Sequence, residues 1–122
     1  MANAIYPLYK EALLSSAANS SMSAGTVKVA LVDTGTYTYS AAHEFYSSLS
    51  GVVGTDQTLG NKTITTGTFD SDNPTWTSVT GATVEALVIY IDTGVAGTSR
   101  LIAYIDTGQT GLPVTPNGGN IL

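Results

Sequence analysis

Aspartate, threonine and glycine stand together three times in this chain, each time after an apolar run: Val32-Asp33-Thr34-Gly35, Ile91-Asp92-Thr93-Gly94 and Ile105-Asp106-Thr107-Gly108. Asp-Thr-Gly is the signature of aspartic proteases, whose chemistry needs two carboxylates about 3 Å apart sharing one proton. The same tripeptide is also a strand-ending turn, in which Asp bonds backbone two residues on and Gly supplies positive φ without steric cost. Three copies favour the turn. Val84 to Ile91 and Arg100 to Ile105 read as strands, joined by a hairpin loop over Asp92 to Ser99 that contains Gly94 and Gly97. Paired antiparallel, they put Asp92 and Asp106 at opposite ends, roughly 20 Å apart at about 3.3 Å per residue, too far for a dyad. A protease would have to pair one copy, such as Asp33-Thr34-Gly35, across a homodimer. It would also need an apolar-apolar-Gly segment after a flap hairpin, and the sequence offers no convincing one.

Other reactive constellations are weaker still. His43 is the one histidine, so no multi-histidine metal centre can form; beside Glu44 it reads as a solvated or capping group, with a pH-dependent contact as the minor alternative. Asp70-Ser71-Asp72-Asn73 begins like a calcium loop, but Gly81 stands where the twelfth-position glutamate is needed. Gly51-Val52-Val53-Gly54 lacks the lysine and following helix of a phosphate loop, and no motif sets a serine beside His43. Neither catalytic residues, a cofactor site nor a metal site is expected. Tyr6, Tyr9, Tyr37, Tyr39 and Tyr46 crowd the first half of the chain. They read as partly buried phenols with hydrogen-bonded tips, and Tyr37, Tyr39 and Tyr46 double as candidate interface aromatics.

Composition narrows the partners. With 122 residues the chain is one domain, large enough for a core without staples, and it has no cysteine. Four basic residues against nine acidic ones give a net charge of −5, and Lys10, Lys28, Lys62 and Arg100 are scattered. No basic patch can release counterions from a phosphate backbone, which argues against nucleic acid and against an anionic membrane surface. Charged residues make up 11%, well under the usual quarter, as suits proteins packed against neighbours. The N-terminus has no secretory pattern and Ala86 to Ile91, the longest apolar stretch, is far short of a membrane span, so a cytoplasmic site of synthesis is expected.

The elements follow from periodicity. Residues 4 to 18 read as an amphipathic helix with Ile5, Leu8, Tyr9, Ala12 and Leu13 on one stripe and Pro7 in the first turn. A small-residue linker runs to Gly25, giving an N-terminal helical arm and linker over residues 1–25 and a β domain over 26–122. Thr26 to Val32 is the first strand, and Thr36 to Tyr39 a short edge segment. Ser40 is placed to cap a brief helix over Ala41 to Leu49. Val52 to Leu59, Lys62 to Phe69 (with Gly67 marking a bulge or bend) and Thr75 to Val79, with Trp76, read as extended. Val84 to Ile91 is nearly all apolar, so it should lie centrally with both faces covered. Asn120-Ile121-Leu122 reads as the start of a further strand, or as residues that dock into a sheet edge. The expected class is mainly β: a single-domain antiparallel β-sandwich or small barrel with an N-terminal helical arm and one short accessory helix.

Several segments together carry a resemblance: Val27 to Phe45, Gly51-Val52-Val53, Leu59 to Ile64, Val84 to Tyr90, Gly97 to Ile105 and Leu112 to Gly119. Over nearly its full length the chain resembles a group of small tailed-bacteriophage virion structural proteins of capsid decoration (cement) type. That resemblance implies a non-enzymatic protein of the virion, assembled in the host cytoplasm. It implies a homo-oligomer, with a trimer favoured, that stabilises the capsid by symmetric attachment to major capsid protein subunits. A tail or neck protein is the alternative, and a homodimeric aspartic protease using Asp33-Thr34-Gly35 the more distant one. Members of the group run on past the Asn-Gly-Gly turn through one more strand. Decoration needs a bridging arm, and Ile5, Leu8, Tyr9 and Leu13 are the candidate arm residues.

Overall fold

The computed structural model describes residues 3–107 and 112–121. The chain is mainly β. Among the described residues seven strands form in order: β1 (Ala4–Ile5), β2 (Thr26–Val32), β3 (Val52–Thr58), β4 (Thr63–Thr65), β5 (Thr68–Asp70), β6 (Ala86–Asp92) and β7 (Leu101–Ile105), with one α-helix, α1 (Pro7–Leu14). Five of them make an antiparallel sheet in the order β1-β7-β6-β2-β3, while β4 and β5 pair as a separate hairpin. The sheet is open, so the barrel alternative is set aside.

The best-patterned segments became the centre. β6 is the middle strand of five, and it pairs β2 in unbroken register from Thr26–Asp92 to Val32–Ala86. Paired residues share a face, so Val27, Val29 and Leu31 align with Ile91, Ile89 and Leu87, while Lys28, Ala30 and Val32 align with Tyr90, Val88 and Ala86. Val27, Ala30, Leu31, Val32, Ala86 and Val88 are essentially inaccessible to solvent. Leu87 and Ile89 are only half-buried, so the covering of β6 is complete on one face and partial on the other.

Three expectations need correction. The helix foreseen over residues 4 to 18 is shorter: Pro7 occupies its first turn, it ends at Leu14, and Ala4–Ile5 precede it as a strand paired with Tyr104 and Ala103 of β7. Periodicity could not see this, because Tyr6 must turn the chain between strand and helix and give its amide to Ile102 O at 2.9 Å. The helix foreseen over Ala41 to Leu49 is absent. Ser40 closes a turn instead, its carbonyl accepting from the His43 amide at 3.1 Å, and only Tyr46–Ser48 form a short 3₁₀ turn. Tertiary pairing won there: Phe45 bridges Arg100, and the Leu101 amide donates to Glu44 O at 2.9 Å, which holds Phe45 extended. Finally, Thr75 to Val79 is not a strand but a ribbon of isolated bonds, in which Trp76 and Ile121 exchange both backbone hydrogen bonds at 2.7 Å. Ile121 therefore docks beside Trp76; Leu122 lies outside the described residues.

Lys62 to Phe69 is not one extended segment: the bulge or bend expected at Gly67 is a full reversal between β4 and β5. Thr66 and Gly67 both take positive φ, 52° and 74°, as a two-residue primed turn requires.

Candidate functional site

The Asp-Thr-Gly copies sit at the two ends of the sheet. Asp92 pairs with Thr26 at one end, while Asp33, after β2, and Asp106, after β7, lie at the other with β6 between them. Asp92 and Asp106 thus stand at opposite ends of the β6–β7 hairpin, as its antiparallel reading requires. Two copies are turns of the expected kind: Asp33 Oδ1 accepts from the Gly35 amide at 2.9 Å, and Asp92 Oδ1 from the Gly94 amide at 3.0 Å. Asp33 Oδ2 also accepts from Thr36 Oγ1 at 3.2 Å, so both its oxygens serve the turn. The third copy is capped from outside by Asn3, whose Oδ1 accepts from the Asp106 and Thr107 amides at 2.7 and 2.9 Å. Its Gly108 lies outside the described residues.

Tyrosines build the most organised polar chemistry, all on the Lys28–Tyr90 face of the sheet. Toward the Asp92 end, Tyr46 from the 3₁₀ turn lies over Tyr90 of β6, ring centroids 4.6 Å apart. Both hydroxyls donate to Asp56 Oδ2 of β3, at 2.9 and 2.5 Å. Asp56 Oδ1 is buried and has no hydrogen-bond partner among the described residues. Burial, then the bond to Asp56, pushes both phenols above the ordinary tyrosine range, so they remain donors. Beside them Lys28 pairs with Asp92 at 3.0 Å. The Gly94 amide first, and Lys28 second, hold the Asp92 carboxyl below its usual range. These residues line an open cavity of about 440 Å³ with Thr55 and Ser99.

Toward the other end, Tyr6, Tyr37 and His43 form a relay. The Tyr6 and Tyr37 hydroxyls are 2.8 Å apart, and the Tyr37 hydroxyl is 2.8 Å from His43 Nδ1. Tyr39 packs on Tyr6 at 5.1 Å and on Tyr104 at 5.3 Å, centroid to centroid. Tyr6 is 0% exposed and Tyr37 2%, and burial raises both of their pKa values. Tyr104 is pushed up to about 12 by burial first and by Asp106 second.

Of the three candidate interface aromatics Tyr37 is buried in the relay, whereas Tyr39 in the ring cluster and Tyr46 over Asp56 are half-buried. The four candidate arm residues divide. Tyr9 is buried with its hydroxyl on Ser20 O at 2.8 Å, and Leu8 is half-buried. Ile5 and Leu13 remain 46% and 49% exposed, and Leu14, which the helical stripe omitted, is 90% exposed.

Sequence reasoning missed Asp56, Tyr90, Tyr104 and Asn3. An aspartate in a Gly-Thr-Asp-Gln strand carries no motif, and its two donors come from other elements. The acidic turn spends its carboxylates locally: Asp70 Oδ1 accepts from the Ser71 amide at 2.8 Å and Asp72 Oδ2 from Asn61 Nδ2 at 2.5 Å. Among the described residues no cluster of three or more His, Cys, Asp or Glu could hold a metal ion, and no helix is long and apolar enough to cross a membrane. The opposite sheet face carries an apolar groove of about 830 Å³ between β6 residues Leu87 and Ile89 and the Trp76–Ile121 ribbon. No family model, no curated protein and no solved structure matches the chain.

Proposed function

We propose that this chain is a structural protein of a tailed-phage virion, of capsid decoration type, which attaches as a symmetric oligomer, a trimer, to major capsid protein subunits. The observation that carries the reading is the N-terminal segment. Buried Tyr6 and Tyr9 and the Ala4–Ile5 pairing anchor it to the sheet, yet it holds Ile5, Leu13 and Leu14 out to solvent. Exposed apolar side chains on an anchored support are costly to leave in water and suit a weak contact repeated by symmetry. The low charge and the resemblance across most of the sequence support the same reading. A tail or neck protein would use the same surface in fewer copies.

Quantitative mass spectrometry of purified particles, normalised to the major capsid protein, tests it. Near one copy per capsid subunit, or one trimer per local threefold, is the expected ratio. A handful of copies moves the protein to tail or neck, and absence from the particle overturns the virion reading. A separate assay for acid peptide cleavage blocked by a statine-type inhibitor is the test of the homodimeric protease; its detection would replace the proposal.

A further inference from the structure

Tyr6, Tyr37 and His43 make two hydrogen-bond links, and two links hold two hydrogens. With neutral His43 the count closes: Tyr6 donates to Tyr37, and Tyr37 donates to Nδ1. Among the described residues no other bond satisfies the Tyr6 hydroxyl, which sits at 0% exposure, so this direction is the one that leaves nothing unpaired. It also assigns the ring hydrogen of neutral His43 to Nε2. A second ring proton gives Nδ1 a hydrogen of its own. Three hydrogens then compete for two links, and one buried phenol, on Tyr6 or on Tyr37, is left without an acceptor. Burial raises the pKa of both tyrosines, so neither escapes by losing its proton.

The two sides of this relay belong to different parts of the chain. Tyr6 is the joint between β1 and α1, whereas Tyr37 and His43 belong to the loop after β2. We propose that the relay is a pH-sensitive clasp: protonation of His43 loosens the N-terminal segment, with Ile5, Leu13 and Leu14, from the sheet. The inference goes beyond the attachment role and stands without it. The other titratable and charged groups around the clasp are Tyr39 and Tyr104 in the ring cluster, Glu44 paired with Arg100 at 2.9 Å, and Asp106 and Glu85, which act on Tyr104.

Amide hydrogen exchange of the full chain, corrected for intrinsic rates, tests the clasp at about pH 7.5 and about pH 5, either side of the histidine range. The probes are the amides of Tyr6, which donates to Ile102 O, and Lys10, which donates to Tyr6 O, with Val29 and Val88 in the central strands as references. In the natural chain, protection at Tyr6 and Lys10 should fall about tenfold relative to the references on going to the lower pH, as expected for one orphaned buried hydroxyl. His43→Gln, whose amide oxygen can still accept from Tyr37, should keep full protection at both values. Tyr37→Phe breaks both links, so it should be equally weak at both. Unchanged protection in the natural chain overturns the clasp. So does a drop that persists in His43→Gln, which would assign the effect to Glu44 or Asp106.

Discussion

Tyr46 and Tyr90 donate their hydroxyls to the same oxygen of Asp56, at 2.9 and 2.5 Å, with their rings 4.6 Å apart. One carboxylate on an outer strand thus ties a central strand to the turn that crosses above it. Removing it leaves two part-buried phenols without an acceptor. Asp56→Ala should lower unfolding stability by about 1–3 kcal/mol, read from urea midpoints at unchanged slope. Tyr46→Phe removes one donor only and should cost less.

Alkali should unfold the protein by a tyrosine route. Burial raises the pKa of Tyr6, Tyr9, Tyr37, Tyr46, Tyr90 and Tyr104. Each favours its protonated form when folded, so its contribution is complete below the unfolded value of about 10 and is lost as pH rises through the higher folded value. Ultraviolet titration should therefore show these phenolates appearing together with loss of the β-sheet circular dichroism signal. Phenolates appearing at ordinary pH with the sheet intact would contradict the burial of these rings.

Two glycines with positive φ should respond very differently to alanine. Gly51 has φ 67°, and a Cβ there would lie 2.8 Å from Asp33 O and 2.9 Å from Thr36 Cβ, both in the first Asp-Thr-Gly turn. Gly94 has φ 86° with open space around it. Gly94→Ala pays mainly the backbone cost of about 1–2 kcal/mol, and Gly51→Ala adds a clash of similar size. Melting temperatures of the two variants should fall in that order.

Asp92 acts on the acid side. Its folded pKa is depressed, so its contribution is present above the ordinary value of about 3.9 and is lost as pH falls through the lower folded value. The Lys28 pair is partly exposed and screened, which limits Asp92→Asn to under about 1 kcal/mol. The variant should lie closest to the natural chain once pH has fallen below that depressed folded value, where both carry a neutral side chain.

Leu14→Glu separates attachment from folding. With 90% of Leu14 exposed, the change should move the melting temperature little. If the N-terminal segment is the capsid contact, co-sedimentation with particles should drop at least tenfold, the equivalent of one lost apolar contact of about 1.4 kcal/mol. Unchanged binding would place the contact elsewhere, with the β4–β5 hairpin and its 53% exposed Ile64 next to be tested.

The sheet's interior was legible because its signal is local. Thr26 to Val32 alternates, Val84 to Ile91 is a continuous apolar run, and both stand in the sheet within two residues of where the pattern ends. Gly67 read only as a bulge or bend within one extended segment, where the chain in fact reverses. Tyr6 and Phe45 were not legible, since their conformations answer to Ile102 and Arg100, far along the chain. The tyrosine crowd was visible as composition, but its acceptors were not. Asp56 lies in a polar strand and His43 in a segment that read as helix, so nothing local tied either to a phenol.

β3 is a seven-residue strand at the margin of the sheet, the kind of border on which another chain can grow. Its register slips against β2 between Val29 and Leu31, where Gly54, with φ 72°, sits opposite the irregularity. Two residues further on, the Asp56 carboxylate is turned inward under the paired tyrosines. A foreign strand laid along this border would meet a kinked backbone, and straightening it would pull a charge away from its donors. The same carboxylate that binds the turn to the sheet thereby makes this border a poor template for an added strand.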